Sequence, residues 1–251
     1  MIVGAQKAGT TALAHFLSQH PQIYMTEKKE VHLFDDPDYS DKWNDSYIAT
    51  YYSKYLQNYN DEKVIGEATP IYMYLEEIAP ELKRYNPDLK IIVLLRNPVE
   101  RAVSHYLMEK HRGNDSVSMN LAFLLELFRI SFKKINNVRK FQSLRIHSYI
   151  SRGFYEKQLK NLRTYFPDDQ ILVIENSELL NSHYQILNNV FLFLCLDNSY
   201  IPPPEILFPG NHTENIGKFS YMLLNLLFKY KNRNLRKLLK EMGYKPNWQW
   251  L

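Results

Sequence analysis

The run Met1-Ile2-Val3-Gly4-Ala5-Gln6-Lys7-Ala8-Gly9-Thr10-Thr11, continuing into Ala12-Leu13-Ala14-His15-Phe16, decides the fold. A short apolar stretch ends at Gly4, a loop of small residues carries one lysine, and two threonines open a segment of helical apolar period. Strand, loop and helix in that order leave the first amides of the helix without intrahelical partners, and the helix dipole adds positive character there, so the junction is a cradle for an anion. In the nucleoside triphosphate loop Gly-x-x-x-x-Gly-Lys-Ser/Thr the lysine follows the second glycine; here Lys7 precedes Gly9. A triphosphate enzyme also needs a later strand ending in an acid that holds Mg²⁺. The strongest later strand, Lys90-Ile91-Ile92-Val93-Leu94-Leu95, ends instead in Arg96, so a magnesium-free anionic donor is expected.

Working outward, the first helix is closed by His20-Pro21, because proline restricts the residue before it. Residues 26–36 mix charge with aromatic side chains and have no clean period, which reads as a loop with a short helical turn. Tyr47, Tyr51, Tyr52 and Tyr55 fall at roughly helical spacing and are expected on a core-facing helix. Val64 to Glu67 reads as a short buried strand, with a helix running through Leu82 to Tyr85. The strand 90–95, apolar without interruption from Ile91 to Leu95, suits the centre of a parallel sheet covered on both faces, and Pro98 is placed to open the next helix. Helices are expected over 118–145, 153–166 and 184–196, the last buried, a strand over 170–174, and a basic amphipathic helical pair over 219–242. Strands alternating with helices predict an α/β fold, a P-loop-like three-layer arrangement with a central, mostly parallel sheet flanked by helices, in a single domain over 1–251.

Composition narrows the function. Of 251 residues, 45% are hydrophobic and 23% charged, and no eighteen-residue apolar run is present, so no transmembrane segment is expected. A formal net charge of +4 is too small to argue for nucleic acid but suits anionic ligands. The single cysteine, Cys195, excludes an intrachain disulfide; within its apolar run it is expected as a buried thiol. A reducing compartment and the lack of a leader ahead of Gly4 give a cytoplasmic expectation, with the Golgi lumen as the alternative if the N-terminus is truncated. The histidines show no His-Glu-x-x-His or cysteine-containing spacing, so no metal is proposed.

Lys7 is placed to reach across a phosphate or sulfate on the helix N-terminus and to neutralise charge that builds on a bridging oxygen. Arg96 at a strand's carboxyl end, with Ser104 beyond the helix-opening Pro98, puts a guanidinium fork and a hydroxyl where open α/β sheets bind ligands, and together they suit a second phosphate. Seven basic residues and no acid lie between Glu126 and Glu156 (Arg129, Lys133, Lys134, Arg139, Lys140, Arg145 and Arg152). They read as a cleft for an anionic acceptor or as a solvated helical face, or Arg152 among them helps to hold the donor.

These motifs resemble a family. Gly4-Ala5-Gln6-Lys7-Ala8-Gly9-Thr10-Thr11 is similar to the 5′-phosphosulfate loop of sulfotransferases that use 3′-phosphoadenosine-5′-phosphosulfate (PAPS), and Leu95-Arg96-Asn97-Pro98 through Ser104-His105-Tyr106 resembles their 3′-phosphate motif. Lys29-Glu30-Val31-His32-Leu33-Phe34-Asp35 resembles a segment of heparan-sulfate-type sulfotransferases and their bacterial relatives. Arg152-Gly153-Phe154-Tyr155 with Phe166-Pro167, and Ile171 to Glu175, fit the same order. The resemblance implies that Lys7, Ala8, Gly9, Thr10 and Thr11 bind the 5′-phosphosulfate, and that Arg96 and Ser104 bind the 3′-phosphate. It also implies that Lys7 stabilises the leaving phosphate and that Glu30 is the general base, a role chemically suited to a carboxylate whose pKa burial raises. His32 shares that role or orients it. Glu67-Ala68-Thr69-Pro70-Ile71-Tyr72 lacks the lysine of the corresponding animal heparan-sulfate motif, so a glycosaminoglycan acceptor does not follow. The expected reaction moves the sulfuryl group to a hydroxyl or amine of an unidentified acceptor, a carbohydrate or small metabolite, leaving adenosine 3′,5′-bisphosphate. The rival readings are a P-loop-type nucleotide kinase and a nucleotide-binding module without catalysis.

Overall fold

The computed structural model of the chain describes residues 1–131, 142–205, 207 and 216–251. Among them five short strands run parallel: β1 Ile2–Gly4, β2 Ile23–Met25, β3 Val64–Gly66, β4 Ile91–Leu95 and β5 Ile171–Glu175. β1, β4 and β5 pair in that order and β2 pairs with β3. The two groups meet where Ile2 bridges Ala68, the Ile2 amide donating to the Glu67 carbonyl at 2.8 Å and the Thr69 amide to the Ile2 carbonyl at 3.0 Å. The spatial order is therefore β2-β3-β1-β4-β5. The direction of winding reverses at β1, which in an open α/β sheet opens a crevice beyond the strand's carboxyl end.

Every residue of β4 is 1% exposed or less. A strand covered on both faces needs an unbroken apolar run, and each such side chain contributes about 1.5–3 kcal/mol on burial. The cover comes from helices: α1 Thr10–Ser18, α2 Asp45–Ser53, α3 Ile78–Tyr85, α4 Pro98–His111, α5 Met119–Ser131, α6 Gln142–His147, α7 Tyr155–Tyr165, α8 Asn176–Asn181, α9 His183–Phe193, α10 Lys218–Lys231 and α11 Leu235–Glu241. Leu13, Phe16 and Leu17 of α1, Leu159 and Leu162 of α7 and Leu187, Val190 and Phe191 of α9 join the strands in one core. A second cluster gathers Val99, Ala102 and Val103 of α4 with Phe123 of α5 and Phe228 of α10. The Asn97 Oδ1 caps α4, accepting from the Val99 amide at 3.0 Å, and Pro98 occupies its first turn as expected.

Several expectations change. β2 carried no strand signal of its own and exists because its three residues pair with β3. Ile65 of β3 is exposed, so that strand is not buried. Of the four tyrosines around α2, Tyr52 is buried, its hydroxyl donating to Glu67, Tyr51 and Tyr55 pack half-buried against the core, and Tyr47 stays exposed. Helix α9 is amphipathic rather than buried, with Tyr184 and Leu192 both 56% exposed. It stops at Phe193, and the chain turns through Cys195 at φ 57° with the Leu196 amide donating to the Phe191 carbonyl at 2.9 Å. This left-handed helix end sends Leu196 into the core and leaves Cys195 exposed, the opposite of the buried thiol expected. The expected helix over 118–145 is represented by α5 and α6; residues 132–141, with Lys133, Lys134, Arg139 and Lys140, lie outside the described residues. Among the described residues no helix is long and apolar enough to cross a membrane.

Candidate active site

The first loop leaves β1 at Gly4, and a Cβ there would sit 2.8 Å from the Met73 Cβ, so the backbone passes too close for any side chain. Lys7 takes φ 69° and Gly9 φ 93°. A Cβ on Gly9 would also lie 2.6 Å from the Asn176 Nδ2, which donates to the Ala8 carbonyl at 3.1 Å. The small residues of the loop are thus required by its path. Gly9 caps α1 without a side-chain hydrogen bond, so no side chain competes for the amides of the first turn. Ala8 and Thr10 are buried and Thr11 is half-buried.

Lys7 is half-buried and its pKa is lowered, first by burial and then by the positive charges of Arg112, Arg96 and Lys29, with Glu109 opposing. The structure therefore brings the end of β1, the end of β4, α4 and the 26–35 loop around one ammonium group. Arg96, Arg112 and Lys29 each keep a carboxylate partner, in Glu100, Glu109 and Glu30, whereas Lys7 forms no ion pair among the described residues and is the cation that a bound anion would satisfy. Arg96 donates from Nη1 to the Lys7 carbonyl at 3.4 Å and from Nε and Nη2 to the Glu100 Oε2 at 3.1 and 3.0 Å. One edge of its fork is thus held by a carboxylate. Ser104 lies half-buried about two turns into α4.

The segment after β2 is organised differently. The Glu30 amide donates to the Ala68 carbonyl at 3.1 Å, tying the loop to the end of β3 at the position where the expected lysine is missing. Glu30 and His32 both adopt φ 61°. From Lys29 onward the charges alternate: Lys29 Nζ lies 3.3 Å from Glu30 Oε1, Glu30 Oε2 lies 3.3 Å from His32 Nε2, and His32 Nδ1 lies 3.0 Å from both Asp35 oxygens. Fully buried Asp35 in turn accepts from Arg145. Burial pulls the His32 pKa down, but its bonds to Asp35 and Glu30 outweigh this and raise it to about 9. Burial raises the Glu30 carboxyl, yet the His32 bond and the Lys29 charge prevail and its pKa is lowered overall. The expectation that burial would make Glu30 a raised-pKa base is corrected: its two cationic neighbours hold it ionised.

Arg152 is buried and donates to the Gln6 Oε1 within the first loop, to the Ser148 Oγ at 2.6 Å and to the Arg145 carbonyl at 2.8 Å, with its guanidinium over the Tyr74 ring at 5.1 Å. Burial lowers its pKa to about 10, still cationic at neutral pH. Of the other basic residues in that stretch, Arg129 pairs with Asp115 at 2.8 Å and Arg145 with Asp35, so the described members are neither a free cleft lining nor a solvated face. Sequence reading assigned no role to Asp35, Gln6 or Asn176. The spacing His32-x-x-Asp35 was a usable signal for the first. Nothing local marked Asn176, which reaches Ala8 across 168 positions. His105 and Arg101 also lie fully buried on α4; burial, then Arg152, Arg101 and Lys7, hold the His105 pKa well below its usual value, so the ring is neutral.

The family model described as "Sulfotransferase domain" matches residues 1–202. The chain is 38% identical over 131 residues to the membrane-associated sulfotransferase kil1 of Dictyostelium discoideum, covering 49% of this chain and 26% of that protein. It is 26% identical over 209 residues to human heparan sulfate glucosamine 3-O-sulfotransferase 5, covering 82% of this chain and 54% of the relative. The chain therefore spans about half or less of the length of these relatives. A solved sulfotransferase from Alicyclobacillus acidocaldarius superposes with a TM-score of 0.78 at 26% identity, over 99% of this chain and 96% of that one. With four fifths of its length inside the family model, its parallel sheet and its lysine-bearing first loop, the chain belongs to the sulfotransferase domain family.

Proposed function

We propose that the chain transfers the sulfuryl group of PAPS to a hydroxyl or amine of a carbohydrate or small-metabolite acceptor. The observation that carries this reading is the convergence on Lys7 of the first loop, Arg96 and Lys29, three motifs distant in sequence. Lys7, Ala8, Gly9, Thr10 and Thr11 receive the 5′-phosphosulfate, on uncapped amides and an ammonium already crowded by positive charge. Arg96 and Ser104 receive the 3′-phosphate. Arg152 supports the donor side through Gln6 rather than from the open loop.

In the reaction the acceptor oxygen or nitrogen attacks sulfur while the bond from sulfur to the bridging phosphate oxygen breaks. Lys7 neutralises the charge left on adenosine 3′,5′-bisphosphate, and the acceptor proton passes to Glu30. His32, charged at neutral pH between two carboxylates, has no free lone pair to accept that proton. It is the residue that orients Glu30. The rate advantage comes from positioning and from charge stabilisation prepared before the reaction. No metal takes part in this scheme.

The test is incubation with labelled PAPS and a panel of carbohydrate and metabolite acceptors, read as a mass shift of the product, alongside calorimetry. Tight, metal-independent binding of adenosine 3′,5′-bisphosphate with weak binding of ATP is expected. Preference for ATP with Mg²⁺ would return the chain to the kinase reading, and tight nucleotide binding without transfer to any acceptor would make it a binding module.

A further inference from the structure

Helix α10 carries two apolar faces. Leu224 and Phe228 turn inward and pack in the α4 cluster. Phe219, Met222, Leu223, Leu226 and Tyr230 turn outward and are 49–68% exposed. Their spacing of three, one, three and four residues confines them to an arc of about 100° on an α-helix, opposite the buried pair. A monomer rarely leaves so continuous an apolar stripe in water.

The charge around the stripe is one-sided. From Ile216 to Lys240 inclusive there are seven lysines and arginines and no acid. Lys218 and Lys229 border the stripe along one edge, and neither forms an ion pair with a described residue. Lys231 lies beyond the other edge, near the rings of Phe154 and Tyr230 at 5.4 and 5.9 Å, and Arg233 lies over Tyr230 at 5.2 Å. A neutral protein partner would satisfy the stripe but not its basic border, and a second copy of α10 would set lysine against lysine. A helix with an apolar face bordered by cations fits the boundary between acyl chains and anionic headgroups.

We infer that α10 docks the protein on an anionic lipid surface, lying in the plane of the interface with Phe219, Met222, Leu223, Leu226 and Tyr230 inserted and Lys218 and Lys229 among the headgroups. At 14 residues, about 21 Å long, it lies on a bilayer and does not cross it. The helix starts beside the sheet's carboxyl edge, where the Asn97 Nδ2 donates to the Tyr221 hydroxyl at 3.5 Å. Docking therefore holds the mouth of the candidate site close to the membrane.

The experiment is co-sedimentation of the full chain with vesicles of phosphatidylcholine alone and of phosphatidylcholine mixed with phosphatidylglycerol, with no nucleotide present, so that the outcome is independent of the transfer reading. Retention on the anionic vesicles only, weakening as salt is raised, is expected. Leu226→Asp with Tyr230→Asp should abolish it, and Lys218→Glu with Lys229→Glu should weaken it roughly fivefold or more per residue. These side chains are exposed, and an unchanged circular dichroism melt verifies that each variant is folded. Absence of retention at low salt overturns the inference, as does retention that both double variants leave unchanged. A concentration-dependent dimer in light scattering that Leu226→Asp dissociates also overturns it, assigning the stripe to self-association.

Discussion

The loops that follow β1 and β2 both place non-glycine residues in the left-handed region, Lys7 at φ 69° in one and Glu30 and His32 at φ 61° in the other, a backbone cost of order 1–3 kcal/mol per residue. They spend it on opposite electrostatics. Around the first loop Lys7 is crowded by Arg112, Arg96 and Lys29, and only Glu109 among the leading influences opposes them. In the second, Lys29, Glu30, His32, Asp35 and Arg145 alternate in sign, and each charge has an opposite neighbour. In the proposed reaction an incoming polyanion supplies the partner that Lys7 lacks, whereas the second loop is paired throughout and keeps the Glu30 carboxylate ionised. On the proposed reaction the first loop holds the donor and Glu30 takes the proton, with Lys29 bordering both, so that the loss of Glu30 is separable from the loss of Lys7.

The largest effect expected is from Glu30→Gln, which removes the proton acceptor and should lower sulfuryl transfer by about 10²–10⁴ while leaving the affinity for adenosine 3′,5′-bisphosphate unchanged in calorimetry. Equal loss of nucleotide affinity would break the separation between the loops. Lys7→Ala should reduce transfer by about 10²–10³ and weaken nucleotide binding as well; a variant that keeps both would remove Lys7 from the donor site.

A structural substitution comes next. Gly9→Ala forces a Cβ onto φ 93° and toward the Asn176 amide, and should cost about 1–2 kcal/mol in urea unfolding. An unchanged midpoint would mean that the loop relaxes to another path. The smallest effect is the pH dependence of His32. Its folded pKa of about 9 lies above the ordinary 6.5, so its stabilisation is fully present below about pH 6.5 and is lost as pH rises through about 9. The difference in melting temperature between the wild type and His32→Gln should be widest near pH 6.5 and close above pH 9; a constant difference would indicate that the ring acts by packing alone.

Much of the fold was legible because it depends on short-range pattern. The apolar run 91–95 had to be a doubly covered strand, and Asn97-Pro98 had to open a helix. Where pattern and packing parted, the sequence misled. Tyr184 to Leu196 reads as one buried helix, but the left-handed turn at Cys195 reverses which residues face inward at its end. β2 has no signal apart from its partner. The candidate site divides the same way: Lys7, Arg96 and Glu30 are legible as candidates because their motifs are contiguous, whereas their supports are not, since Gln6 and Arg152 lie 146 positions apart and Asp35 and Arg145 lie 110 apart.

By itself the sequence determined an alternating α/β chain, an anion cradle with its lysine ahead of the glycine, and an arginine where a magnesium-binding acid would stand, all read from residue type and spacing. Only the tertiary structure decided that these pieces share one edge of a sheet wound outward from β1, that Glu30 is held ionised between Lys29 and His32, and that α10 shows water an apolar stripe. The physical reason is range. Propensity and periodicity act over a few residues, while burial and Coulomb interaction depend on distances in space that the chain sets only once it is folded.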